Sequence, residues 1–230
     1  CSSDLESVKI VTEDFVLGDG SGTDDFDLGG TVGGDLLLTS RNGSGQINVG
    51  WESGTAGHLD LSDAEIARIV AASSITIGAF GDGTFGDQAE NISVRTADFS
   101  GVNGTGVELT LNAFGSASGA AILLDDEDGG GVSPDALANG GENLTLNADG
   151  NIQAVANNTL AELTSSGTVV HLESRNGAIG SNTLPIQLDP GYGRVDVVGG
   201  PNGVWLEGIG QLALGDLSAL AGPVFLSVTT

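Results

Sequence analysis

Val107-Glu108-Leu109-Thr110-Leu111-Asn112-Ala113 returns further along the chain as Glu142-Asn143-Leu144-Thr145-Leu146-Asn147-Ala148. A second pair behaves alike: Leu38-Thr39-Ser40-Arg41-Asn42-Gly43-Ser44-Gly45 returns as Leu172-Glu173-Ser174-Arg175-Asn176-Gly177-Ala178-Ile179-Gly180. Within each copy apolar and polar residues alternate, so one face of a strand turns inward and the other outward. A strand-turn unit that repeats can stack on its own copy, each layer covering the open backbone of the next.

The same short pattern runs outward in both directions. Ser7–Val11, Asp35–Thr39, Gln46–Val49, Ser74–Ile77 and Asn91–Val94 precede the repeat; Asn151–Val155, Val169–Leu172, Pro185–Leu188, Arg194–Val197, Gly203–Leu206 and Val224–Val228 follow it. Many of these strands open on Asn and close on a Gly turn. Asn42-Gly43, Asp82-Gly83, Asn103-Gly104, Asp149-Gly150, Asn176-Gly177 and Asn202-Gly203 are hairpin signals, which would favour an antiparallel sandwich or barrel. The self-similarity favours a β-solenoid instead, with glycine at tight corners and asparagine at the bends. The expectation is an all-β chain, residues 1–230 forming one solenoid of about nine to eleven layers spaced ~4.8 Å. Residues 1–33 are an acidic, Gly-rich entry segment.

Composition agrees with thin layers. The 230 residues include 39 Gly and no Met, and only 4% are aromatic. A single thick core would use more large fillers; here Leu, Val, Ile and Ala dominate. Apolar content of 39% is enough to offset the ordering entropy. No apolar run reaches the ~18 residues of a membrane span. The exception to the strand pattern is Leu61–Val70. Ser62 with Glu65 makes a capping box, and Ile66, Ile69 and Val70 form one apolar stripe, which predicts one short helix near 62–70.

Charge excludes one class of partner. The chain carries 31 acidic and 6 basic residues, a net charge of −25, and Lys9 is its one lysine. Nucleic acid needs clustered cations. Cys1 is the sole cysteine, so no internal disulfide forms. Cys1-Ser2-Ser3-Asp4 looks like the mature end of a bacterial lipoprotein, a processing boundary being the plainer account.

Gly34-Asp35-Leu36-Leu37-Leu38-Thr39-Ser40, then Leu59-Asp60-Leu61-Ser62-Asp63-Ala64-Glu65-Ile66-Ala67-Arg68-Ile69, then Ser74-Ile75-Thr76-Ile77-Gly78 resembles the β-strand repeats of giant bacterial exoproteins. These are the filamentous-haemagglutinin-like adhesins exported by two-partner or autotransporter routes. The resemblance runs from about residue 33 onward. It implies a right-handed parallel β-helix, display outside the cell or on the outer-membrane surface, and a stalk or adhesin role. It supplies no catalytic residues. Family members are far longer, so the chain is expected to be a fragment or subunit of a longer rod. Its last strand, Val224–Val228, is apolar and followed by no polar cap, so end-to-end self-association is expected.

Two acidic clusters are candidate calcium sites: Asp125, Asp126, Glu127 and Asp128, and Asp19, Asp24, Asp25 and Asp27. Calcium takes about six to eight hard oxygen ligands from pliant loops. Neither cluster has EF-hand or nonapeptide spacing, and the alternative is a solvated acidic loop. Asp125-Asp126 would also serve as the carboxylate pair of a carbohydrate-active β-helix lyase or hydrolase, the rival function. Against an enzyme, His58 and His171 are isolated, no basic cluster awaits an acidic sugar, and no nucleophile elbow occurs. No cofactor is expected. The partner expected is a host or cell-surface glycan or protein receptor, with Trp51, Trp205 and Tyr192 either packing corners or forming sugar-stacking platforms.

Overall fold

The computed structural model describes residues 7–12, 26–27, 34–40, 46–70, 72–79, 91–102, 105–114, 119–126, 136–155, 160–167, 169–189 and 191–229. The longest sheet is parallel throughout. It runs β1 (Ser7–Thr12), β3 (Gly34–Ser40), β7 (Ala72–Gly78), β10 (Glu108–Ala113), β13 (Leu144–Ala148), β16 (Val169–Ser174), β18 (Arg194–Gly199), β20 (Leu214–Ala219). A second parallel sheet runs β5 (Leu59–Ser62), β4 (Ile47–Gly50), β8 (Ile92–Arg95), β11 (Ile122–Asp125), β14 (Ile152–Ala154). A third runs β9 (Ala97–Asp98), β12 (Leu137–Asn139), β15 (Leu163–Ser165), β17 (Ile186–Leu188), β19 (Val204–Ile209), β21 (Val224–Thr229). Two short strands, β2 (Phe26–Asp27) and β6 (Ile69–Val70), pair separately.

Alternation explains the core. The two repeat copies lie side by side, Leu109 on Leu144 and Leu111 on Leu146. Their column continues through Leu36, Ile75, Val170 and Val195, all buried. In the second sheet Ile47, Ile92, Ile122 and Ile152 stack in register, and bridges extend the column to Ile179 and Val204. All six are fully buried. Each contributes roughly 1.5–3 kcal/mol of apolar transfer, and β-branching suits the pleated surface.

The asparagines at strand starts have a specific job. The side-chain oxygen of Asn91 accepts the N–H of Ala121 at 2.9 Å, that of Asn143 accepts Val169 at 3.1 Å, and that of Asn151 accepts Ala178 at 2.8 Å. Each satisfies a backbone donor at or just ahead of the start of the next stacked segment. Asp149-Gly150, Asn176-Gly177 and Asn202-Gly203 do not make hairpins; each leads from a strand of one sheet toward the next, and every strand pair among the described residues is parallel. Gly50 shows why glycine is needed at such corners. Its φ is +86°, and a Cβ there would collide with the carbonyl of Arg95 on the neighbouring layer.

Two expectations need correction. The helix is a single turn, Asp63–Ile66, not the span to residue 70. Its Glu65 carboxylate accepts both the N–H and the hydroxyl of Ser62, each at 2.8 Å. Ile69 and Val70 leave the helix to pair with Phe26 and Asp27. The longest sheet also has eight strands among the described residues, fewer than the nine to eleven layers expected. The circuits are long in the first half: Leu36 meets Ile75, 39 residues on, and Leu109 meets Leu144, 35 on. They tighten later, Val170 meeting Val195 after 25 residues. No helix among the described residues is long and apolar enough to cross a membrane.

Candidate functional site

Asp125 ends β11 opposite Arg95 of β8, its Cα partner. Arg95 Nε donates to Asp125 Oδ2 at 2.9 Å, a second guanidinium nitrogen contacts the same oxygen, and the guanidinium lies 4.9 Å from the centre of the Trp51 ring. Trp51, Arg95 and Asp125 thus form one column, an aromatic face and a carboxylate on either side of a cation. Asp126, the next residue, is 2% exposed and lies near Glu162. The two aspartates are therefore engaged with different neighbours. Glu127, Asp128, Asp19, Asp24 and Asp25 lie outside the described residues, and Asp27 is placed only as part of β2. Among the described residues no group of three His, Cys, Asp or Glu side chains is arranged to hold a metal.

Glu162 was not singled out in the sequence, yet it has the most perturbed environment. It is fully buried between Ala161 and Leu163. Its Oε2 accepts the backbone N–H of Gln187, its own N–H donates to the Gln187 carbonyl at 3.0 Å, and its Oε1 has no partner. Burial raises its pKa to about 8, and the charges of Asp126 and Glu207 add to this, while the Gln187 hydrogen bond opposes it. Glu162 is a neutral acid at pH 7.

Ser53 and His58, in the loop joining β4 to β5, sit beside Asp60 of β5, but their wiring is not that of a hydrolase triad. Asp60 accepts Asn48 Nδ2 at 2.6 Å, the backbone N–H groups of Ser53 and Gly54 at 2.8 and 3.1 Å, and the Ser53 hydroxyl directly. His58 Nδ1 stands 3.4 Å from both Ser53 Oγ and Asn48 Nδ2. A triad needs the histidine between serine and aspartate. Here Asp60 ties down a loop.

The outward face of the last layers is charged and self-paired. Arg194 reaches Asp196 at 3.0 Å, and His171 lies 3.9 Å from Glu173. Asp196 is held below the usual carboxylate range by the N–H of Asp216, then by Arg194 and His171. Arg175 lies 3.4 Å over the Phe114 ring and 3.8 Å from Asp149, a second aromatic–arginine–aspartate column.

Of the three aromatic residues noted in the sequence, Tyr192 is buried, and burial raises its pKa. Trp51 belongs to the Arg95 column. Trp205 stacks on Phe225 of the neighbouring strand, centroids 6.0 Å apart and planes 15° apart. Ser181, Asn182, Pro185, Leu226 and Ser227 complete a groove of about 210 Å³ beside this pair. Comparison with protein-family models, curated proteins and solved structures gave no match.

Proposed function

We propose that this chain is a structural or adhesive stalk module, a right-handed parallel β-helix of the filamentous-haemagglutinin-like kind, displayed outside the cell or on a bacterial outer-membrane surface. The observation that carries the proposal is the register. Aliphatic residues sit on aliphatic residues through eight parallel strands, and two further parallel sheets repeat the pattern. Parallel strands joined by crossovers take the right-handed sense. Seven gaps of ~4.8 Å make such a body about 34 Å long. A net charge of −25 keeps the sides of such rods apart.

The same stack offers a means of extension. Leu214, Leu217, Val224, Leu226 and Val228 on β20 and β21 are 37–50% exposed, whereas their counterparts one layer earlier, Val195, Val197, Val204 and Leu206, are buried. A further parallel layer, from the same chain or a second copy, would cover them. The rival enzyme reading gains nothing from Asp125, whose carboxylate is committed to Arg95.

Electron microscopy and small-angle scattering test the shape. A polysaccharide digestion panel tests the rival. Turnover lost in Asp125→Asn or Asp126→Asn would replace the stalk reading with an enzyme, and a compact, isotropic particle would remove it.

A further inference from the structure

We propose that Asn202-Gly203 is a self-modifying site, where the backbone nitrogen of Gly203 closes on the Asn202 side-chain amide and converts that residue to aspartate and isoaspartate. The inference is independent of the stalk reading. The chemistry needs only water as co-reactant. The Gly203 amide nitrogen attacks Asn202 Cγ, its proton leaves with the departing amide as ammonia, and a cyclic imide remains. Water then opens one of the two imide carbonyls. One opening gives aspartate, the other isoaspartate, whose backbone runs through the side-chain carbon. A glycine next in sequence favours closure because it puts no Cβ in the way.

Three Asn-Gly pairs lie wholly within the described residues, at 139–140, 176–177 and 202–203, and the fold holds them differently. Asn139 is 3% exposed. Its amide nitrogen donates to the carbonyls of Val107 at 2.9 Å and Glu142 at 3.3 Å, and its amide oxygen accepts the Val107 N–H at 3.5 Å. That amide cannot swing toward Gly140 without abandoning buried partners. Asn176 is exposed, but the nitrogen that would attack is held. Gly177 N–H donates to Ser174 Oγ at 3.2 Å, and that hydroxyl is fixed in turn by donating to the Gly150 carbonyl at 2.7 Å.

Asn202 has neither restraint. It is exposed, and its side chain makes no hydrogen bond with a described residue. Gly200-Pro201-Asn202-Gly203 is a β-turn, with Pro201 in the second place, where its fixed φ belongs. The closing bond, from Gly203 N–H to the Gly200 carbonyl, is 3.4 Å long, beyond the ~2.7–3.2 Å of a well-made bond. Opening this turn costs little and lets the Asn202 backbone rotate until the Gly203 nitrogen meets Cγ. The exposure does not come from the end of the stack: Asn176, at the matching corner one layer earlier, is exposed too, and Gly222 packs on Gly203. The product matters to the layer. Asn202 N–H donates to the Gly177 carbonyl at 3.2 Å, and the Gly203 carbonyl accepts the Ile179 N–H at 3.1 Å. Isoaspartate inserts a backbone carbon between these two bonds and strains them.

The test ages the full chain in mildly alkaline buffer, folded and in urea. Peptide mass spectrometry with isoaspartyl methyltransferase labelling follows each pair. In the folded chain Asn202 should convert first, about tenfold ahead of Asn139 and roughly threefold ahead of Asn176. In urea the three should convert alike. Ser174→Ala frees the Gly177 nitrogen and should bring Asn176 level with Asn202, while Asn139 stays slow and reports that the fold is intact. Four outcomes overturn the proposal: Asn202 unchanged in the folded chain while it converts in urea, Asn139 or Asn176 converting as fast as Asn202 when folded, the same order persisting in urea, or Asn176 remaining slow in Ser174→Ala.

Discussion

Asp125 and Glu162 are both buried carboxylates, and the fold treats them in opposite ways. Asp125 faces Arg95 in an ion pair, with Trp51 also against the guanidinium. Glu162 has acidic neighbours, Asp126 and Glu207, and keeps its proton to about pH 8. The chain has 31 acids and 6 cations. Where a cation is in register the carboxylate pairs with it, and where none is, as at Glu162, burial holds the proton.

The largest test of this contrast is pH. The folded pKa of Glu162 is raised from 4.5 to about 8. Its contribution to stability is therefore fully present below pH 4.5 and is lost as pH rises through 8. At ~1.4 kcal/mol per unit the whole window is worth on the order of 5 kcal/mol. Between pH 7 and 9 the expected loss from Glu162 is about 1.4 kcal/mol. Urea midpoints measured at pH 7 and 9 should fall in the wild type and hold steady in Glu162→Gln. An equal fall in both would remove the account.

Breaking the other member of the pair should do less than that whole pH window. Arg95→Ala leaves Asp125 without its cation. Loss of one partner from a fully buried pair costs about 3–5 kcal/mol. The Arg95 side chain is 39% exposed, so water recovers part of this, and about 2 kcal/mol is expected. Thermal melting at pH 7 checks it.

How much of this was legible follows from reach along the chain. Ile92 and Leu144 were readable as inward positions because alternation is local. The role of the asparagines before them was half legible: Asn marks a bend, but that Asn151 accepts the N–H of Ala178 depends on a layer 27 residues away. Asn-Gly pairs were ambiguous for the same reason, since a tight corner has similar chemistry whether the next strand turns back or moves to another sheet. Leu137–Asn139 and Leu163–Ser165 were missed because three residues are too few to show a period. Leu61–Val70 was read as one helix because Ile66 and Ile69 do share a buried side, but Phe26 claims Ile69. Glu162 could have been flagged as a lone acid between Ala161 and Leu163. Its lack of a cation could not, because Gln187 and Glu207 arrive one and two layers later. The Asp125–Asp128 run read as one cluster, whereas Arg95 takes Asp125 and Asp126 lies beside Glu162.

Arg175 sharpens the comparison, because it repeats the Arg95 arrangement nearer solvent. It covers Phe114 and pairs with Asp149 at 3.8 Å, with its side chain 51% exposed. Exposed cation–π contacts and surface ion pairs are each worth about 0.5–1 kcal/mol or less. Arg175→Ala should therefore cost about 1 kcal/mol, less than Arg95→Ala. A larger loss from Arg175→Ala would show that depth is not what separates the two columns.

The smallest effect concerns calcium at the run Asp125–Asp128. Asp125 can ligate a cation only if it leaves Arg95, so in the wild type calcium competes with an intramolecular guanidinium. Arg95→Gln frees the carboxylate while retaining side-chain bulk and a hydrogen-bond donor. A ligand at twice its dissociation constant stabilises by about 0.6 kcal/mol. Calcium should therefore raise the melting temperature more in Arg95→Gln than in the wild type. Magnesium should do less, since it demands a small, near-ideal octahedral shell and sheds its waters reluctantly. If calcium raises both proteins equally, Asp125 is not a ligand. If it raises neither, the Asp125–Asp128 run is not a calcium site, and the cation that matters to Asp125 is Arg95 on β8.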